Sequence, residues 1–184
     1  MIPNHFPSPE GFKGSIVPLQ AVDLHYLKPI LETWIVDRDT GEPLPLEVEG
    51  YLRRMGNSIY DSNGYSYIVA INEDGEAIGV MGIRAPEEKM MEYASTSYPS
   101  ELVNAYVSQD YIKKKGIGRA LVNALVELAT VMGHTEIILN SGPRYEDSWA
   151  FYDNVFGPRV NTAIGMYPDK NGEGGDAPIW RKLL

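Results

Sequence analysis

Apolar residues recur along this chain in two periods, and the switches between them mark out a mixed α/β domain. From Ala21 to Val36 they fall at Leu24, Leu27, Leu31 and Ile35, the spacing of one helix face, with Asp23 near the start. Pro29 lies inside that run and is expected to kink or split it. A second short helix is expected around Leu46 to Met55, ending near Gly56-Asn57. The period then shortens. Tyr65 to Ile71 and Ala77 to Ile83 flank Asn72-Glu73-Asp74-Gly75-Glu76, which predicts two strands joined through an Asp-Gly turn. Arg84 to Ser100 fits neither period and is longer than a hairpin loop should be. Its Met90, Met91, Tyr93 and Tyr98 can either line a ligand pocket or cover an edge of the core.

A strand from Leu102 to Val107 leads to a helix from Gly118 to Met132, with Leu121, Leu125, Leu128 and Ala129 on its apolar face and Gly133 as its cap. Glu136 to Asn140 reads as a strand and Ser148 to Asn154 as a short helix. Val160 to Tyr167 and Ile179 to Leu184 read as a closing pair of strands around a glycine-rich loop. With a first strand at Gly14 to Leu19, the order is β-α-α-β-β-β-α-β-α-β-β, a mixed α+β plan with a central sheet flanked by helices. Pro3, Pro7, Pro9 and Gly11 make residues 1–13 a flexible arm ahead of one domain spanning 14–184.

Charge and composition exclude several classes of function. A hydrophobic content of 43% in 184 residues suits one globular domain. No apolar run is long enough to span a membrane, and the first residues lack a signal pattern, so a cytoplasmic protein without a membrane partner is expected. The formal charge of −9 argues against a nucleic-acid partner, which would call for a basic footprint. There is no cysteine for a disulfide, a thiolate metal site or a nucleophile. His5, His25 and His134 have no metal spacing, and Asp169, Glu173 and Asp176 lack the EF-hand pattern, so no metal is expected. The terminal strands offer a route to a homodimer by edge pairing.

Against this acidic background, Lys113-Lys114-Lys115-Gly116-Ile117-Gly118-Arg119-Ala120 stands out. It lies between the Leu102–Val107 strand and an apolar-periodic helix, where free amides and the helix dipole favour an anion. Glycines at 116 and 118 let a phosphate approach those amides, and the neighbouring cations can follow its oxygens. Arg119 and Ala120 after Gly118 rule out a Walker A loop, and Leu121 rules out the dinucleotide fingerprint.

The stretch resembles the acetyl-CoA pyrophosphate loop of the GCN5-related N-acetyltransferases, Gln/Arg-x-x-Gly-x-Gly/Ala, with Lys113 at the usual Gln or Arg and one extra residue in the loop. A later segment, Glu146-Asp147-Ser148-Trp149-Ala150-Phe151-Tyr152-Asp153-Asn154-Val155-Phe156-Gly157, resembles that family's second motif, in the right order and at the right separation. It departs in two places: the frequent Asn seven residues before the tyrosine is Tyr145, and the closing Gly-Phe is Phe156-Gly157. The resemblance covers nearly the whole chain and implies a cytoplasmic, acetyl-CoA-dependent N-acetyltransferase acting on a primary amine of a small molecule. Direct attack in a ternary complex is expected. An acyl-CoA-binding regulatory or interaction protein of the same fold is the alternative.

The resemblance also implies site residues. Lys113 to Ala120 would hold the cosubstrate's phosphates, and the Val107 amide would hold the thioester carbonyl where a splayed strand frees it. Tyr152 matches the family's general acid, since a phenol with an ordinary pKa near 10 is protonated at neutral pH. It also suits the core of a short amphipathic helix. Glu101, at the start of the strand, matches a frequent general base and equally suits an exposed strand end. Simple alternation would put Glu101, Val103 and Ala105 on one face and Leu102, Asn104 and Tyr106 on the other.

Overall fold

β-branched and aromatic residues at successive strand positions bury both faces of one sheet, and two helical layers do the covering. The computed structural model describes residues 3–8, 10, 12–60, 64–112, 116–168 and 175–184. The elements are β1 (Ser15–Pro18), α1 (Asp23–Trp34), α2 (Pro45–Tyr60), β2 (Tyr65–Ile71), β3 (Ala77–Arg84), α3 (Glu88–Met91) and β4 (Pro99–Val107). They continue with α4 (Ile117–Val131), β5 (Glu136–Asn140), α5 (Trp149–Phe156), β6 (Asn161–Ala163) and β7 (Ala177–Leu183). The sheet order is β1-β2-β3-β4-β5-β7-β6. Every neighbouring pair is antiparallel except β4 and β5, which α4 joins by the crossover that parallel neighbours require.

On one face Leu121, Leu125 and Leu128 of α4 pack on Ile68, Ile83, Leu102 and Ile137. On the other, Leu27 and Leu31 of α1 and Val48 and Met55 of α2 pack on Tyr67, Val69 and Val80. The expected element order is present, with the one-turn α3 added between β3 and β4. α4 ends as expected at Gly133 (φ +86), where Gly133 N–H donates to Thr130 O and His134 N–H to Ala129 O.

Tertiary contacts account for the departures. α1 runs unbroken through Pro29, held across the missing N–H by Leu27, Ile30 and Leu31 on the sheet. α2 continues past Gly56, which lies against Leu24 of α1, so that glycine serves close helix packing rather than an end. The C-terminal strand of the expected closing pair starts at Ala177, and its partner shrinks to Asn161–Ala163 because Gly165 turns the chain (φ +63). The segment ahead of β1, read as a flexible arm, is anchored at Phe6, which is fully buried and donates its N–H to Ile16 O. β7 lies between β5 and β6, and β6 pairs only with its first residues, Ala177 to Ile179, so the sheet-end strands are β1 and the three-residue β6.

The last part of the segment between β3 and β4 is held by a buried carboxylate. Glu136, at the start of β5, is 0% exposed. It accepts hydrogen bonds from the Ser95 and Thr96 amides and hydroxyls and pairs with Arg181 Nε at 3.3 Å. A buried charge is tolerated when its lone pairs are filled this way. Of the side chains in question there, Met90 joins Ile138, Ala163 and Ile179 in a small cluster. Tyr98 stacks on His134. None of Met90, Met91, Tyr93 and Tyr98 lines the cleft described next.

Candidate active site

β4 pairs with β5 over only Pro99–Glu101 against Glu136–Ile138, and beyond Glu101 the two parallel strands part. The cause lies on the other edge of β4. Gly82 opposes Val103 and Val80 opposes Tyr106, so Met81 alone faces two residues of β4, a bulge that bends the strand. Asn104 takes up the bend at φ +53, the one non-glycine residue with positive φ among the described residues. Tyr67 holds it there: its ring crosses over Gly82 and its hydroxyl donates to Asn104 Oδ1 at 2.9 Å.

The bulge corrects the simple alternation. Leu102 packs on the α4 side, whereas Tyr106 packs on the α1/α2 side, because the extra residue shifts the pleat between them. Gly82 is the position this device depends on. A β-carbon there would lie 2.4 Å from the Tyr67 ring, so Gly82→Ala must displace the ring and its bond to Asn104. The expected cost is about 1–3 kcal/mol, the usual scale of overpacking, read as a lowered midpoint in chemical denaturation.

Past the bulge, Ser108 N–H donates to Ile78 O. Backbone groups of adjacent strand residues point to opposite edges, so Val107 turns its own N–H and C=O away from β3 and towards the gap. Trp34, the last residue of α1, donates its indole N–H to Val107 O at 2.8 Å. The gap opens into a cleft of about 1850 Å³ that takes in Trp34, Glu101, Val107, Gly116 and Tyr152.

At one end of this cleft α4 begins. Gly116 is in the left-handed conformation (φ +66), and the first bond of the helix runs from Ala120 N–H to Gly116 O. The amides of Ile117, Gly118 and Arg119 therefore have no intrahelical acceptor. Arg119 is steadied by a bond from Nη2 to Asn154 Oδ1 of α5. Gly118 has a second role: a β-carbon there would stand 3.2 Å from the Phe151 ring, so its smallness also seats α4 on α5. Ile117 is buried and offers only backbone. Ala120 does not line the cleft, and its amide donates to Gly116 O. Lys113, Lys114 and Lys115 lie outside the described residues.

Tyr152 and Glu101 both line this cleft. Tyr152 is 7% exposed, packed by Phe151, Phe156 and Trp180, and burial pushes its pKa well up. The acid and core readings of this residue are thus compatible, since its ring is core and its surface opens on the cleft. Glu101 is the third residue of β4, not its first, and is 3% exposed rather than a free strand end. Its Oε2 accepts from Arg84 Nε (3.1 Å) and the Glu87 amide (3.2 Å), and it lies 3.0 Å from Arg84 Nη2; Asn140 Nδ2 reaches Oε1 at 3.4 Å. Burial pushes its pKa above the ordinary carboxylate range, while Arg84 and the Glu87 amide pull it back.

Sequence reading alone missed a second set of cleft residues. Tyr106 and Tyr145 place their hydroxyls 3.2 Å apart, and burial first, then Tyr145, raises the Tyr106 pKa. Arg144 reaches both carboxylate oxygens of Glu47, which also accepts from Tyr51. Tyr145, one of the two departures from the second motif, was the one signal in the sequence that pointed here. Among the described residues no group of three or more His, Asp or Glu is arranged to hold a metal ion. None of the helices described is long and apolar enough to cross a membrane.

Comparison with known proteins agrees with this geometry. Residues 31–157 match the model of the acetyltransferase (GNAT) family. No curated protein sequence matches the chain. Among solved structures, an acetyltransferase of the GNAT family from Desulfovibrio desulfuricans superposes with a TM-score of 0.71 at 16% identity, over 92% of this chain and 98% of that one. A phosphinothricin acetyltransferase from Sinorhizobium meliloti, in complex with acetyl-CoA, gives 0.67 at 24% identity, over 94% and 89%. Arabidopsis thaliana NAA60, also with acetyl-CoA, gives 0.67 at 16%, over 92% and 97%. At such identities the structural likenesses speak for the fold, and the family match covers well over half of the chain. The chain belongs to the GNAT family of acetyltransferases.

Proposed function

We propose that this protein is an acetyl-CoA-dependent N-acetyltransferase that acylates the primary amine of a small molecule by direct attack in a ternary complex. The observation that carries the reading is convergence: a glycine-started helix with free amides, a buried carboxylate and a buried phenol share one cleft between parted strands. The amides of Ile117 to Arg119, which have no intrahelical acceptor, stand beside a glycine that needs no side-chain space and fit a pyrophosphate. When bound, acetyl-CoA supplies an acyl carbonyl activated by a thiol leaving group.

The chain's own residues then divide the work. The Val107 N–H, turned to the gap, can donate to the carbonyl oxygen as charge grows on it. Tyr152, held neutral by burial, can give its proton to the departing sulfur. Glu101 keeps Oε2 on Arg84 and Glu87, leaving Oε1 to take a proton from the amine. With no cysteine in the chain, an acyl-thiol intermediate on the enzyme has no place to form. The acceptor end is walled by Tyr65 of β2, Tyr145 ahead of α5 and Tyr167 after β6, which favours a compact amine.

Pooled primary amines with acetyl-CoA should release CoA thiol at a rate well above the amine-free control. No amine-dependent release from any pool would refute the activity. Glu101→Gln tests the base. Because a base must be ionised and burial raises this carboxyl, the ascending limb of kcat/KM should lie above the ordinary glutamate range and rise as pH passes the elevated pKa. In Glu101→Gln that limb should change shape, with part of the rate returning at high pH where free amine is abundant. An equal loss at every pH, with a raised acceptor KM, would show that Glu101 binds the amine without taking its proton.

A further inference from the structure

The turn that follows β6 places Tyr167 at the acceptor end of the cleft, and the surrounding chain is shaped to receive it. Gly142 lies under its ring: a β-carbon there would come within 2.9 Å of the ring carbons. Gly175 lies against its backbone, where a β-carbon would overlap the Tyr167 carbonyl, and Tyr167 N–H donates to Gly175 O. The hydroxyl donates to Asn140 Oδ1. Asn140 is the last residue of β5, two positions beyond Ile138, the final residue paired with β4, so it stands where the strands have parted. Its amide nitrogen donates to Glu101 Oε1 and Met90 Sδ.

Asn140 therefore ties Tyr167 to Glu101, and a flipped amide would set its carbonyl oxygen against the Glu101 carboxylate. With its proton committed to Asn140, the phenol oxygen retains acceptor capacity. Among the described residues, Glu101 Oε1 likewise carries only the long bond from Asn140. Two oxygen acceptors are thus held by the two ends of one side-chain amide. An ammonium group, with three donors, suits such a pair. Burial, then the charges of Glu101 and Glu87, pushes the phenol up to about 12, so it keeps its proton for Asn140 at neutral pH. Tyr167 is nevertheless 45% exposed, which leaves part of the ring open to a ligand.

We propose that Tyr167 Oη and Glu101 Oε1 together bind the amino group of the acceptor, with Asn140 setting their separation, so that Tyr167 determines which amines are accepted. This rests on the acetyltransferase reading above and adds the residue that selects its second substrate.

The test compares Tyr167→Phe with the unaltered enzyme on ethanolamine, L-alanine, phenethylamine and putrescine. Tyr167→Phe keeps the ring in its glycine-lined seat and removes only the oxygen. Acceptor KM should rise about tenfold, the scale of one hydrogen bond to a charged group, while the KM for acetyl-CoA and the melting temperature stay put. Asn140→Ala, which releases both partners, should raise acceptor KM in the same selective way. If either variant leaves acceptor KM unchanged, or raises the KM for acetyl-CoA equally, Tyr167 only closes the turn and the proposal is overturned. If the unaltered enzyme acetylates none of these amines or the wider pools, the activity reading falls and takes this one with it.

Discussion

Gly116→Asp will abolish the stabilisation of the protein by acetyl-CoA. At a ligand concentration about a hundred times Kd, mass action adds about 2.7 kcal/mol to the unaltered protein. For a domain of this size that is a rise in Tm of roughly 5–11 °C. Aspartate at 116 acts in two ways. It forces a β-carbon into a left-handed conformation (φ +66), costing on the order of 1–2 kcal/mol, and it sets a negative charge among the helix-start amides. Gly116→Asn separates the two, since asparagine tolerates this conformation and carries no charge; it should keep part of the shift. ATP or NAD at equal concentration should stabilise the unaltered protein much less. A Gly116→Asp protein that still gains the full shift would show that the phosphates lie elsewhere.

Tyr152→Phe will lower kcat by roughly tenfold to ten-thousandfold, the range spanned by general acid catalysis, with acetyl-CoA binding nearly unchanged. The substitution is clean because the ring's contacts with Phe156 and Trp180 persist in phenylalanine, so stability should hardly move. The same burial that raises the phenol's pKa has a consequence for the pH profile. A tyrosine acting as acid loses activity only when it ionises, so its descending limb should lie above the ordinary range for tyrosine. A kcat equal to that of the unaltered enzyme, in an assay limited by chemistry, would return Tyr152 to a packing role.

What could be read from the sequence was local. The hairpin of β2 and β3 announces itself because Asn72 to Gly75 is turn chemistry between two apolar runs, and Gly75 takes the left-handed conformation (φ +83). The start of α4 is marked by Gly116, and its end by Gly133, through backbone needs that few other residues meet. Gly116 and Tyr152 come from two motifs, each contiguous in sequence, Glu101 and Val107 come from the strand ahead of the first, and the fold brings all four to one cleft.

What stayed hidden depends on partners far away in the chain. The bulge at Asn104 needs Gly82 to make room and Tyr67 to bind, 37 residues away from Asn104. No pattern within β4 itself foretells it, which is why plain alternation assigned Leu102 and Tyr106 to the same face. Tyr167 was read as a strand residue, because its role rests on Gly142 and Asn140 from another strand and loop. Gly118 was read for phosphate access, while its contact with Phe151 of α5 became visible only in three dimensions.

The carboxylate of Glu136 also sets an order in time. Ser95 and Thr96 carry every atom needed to bond it, yet Glu136 is 41 residues further along from Ser95. At ~5–20 residues per second on a ribosome, the stretch ahead of β4 waits about 2–8 s before its anchor even exists. During that interval the amides of Ser95 and Thr96 lack their native acceptor. One wall of the molecule is thus written early in the message and assembled late, by a charge that arrives with β5.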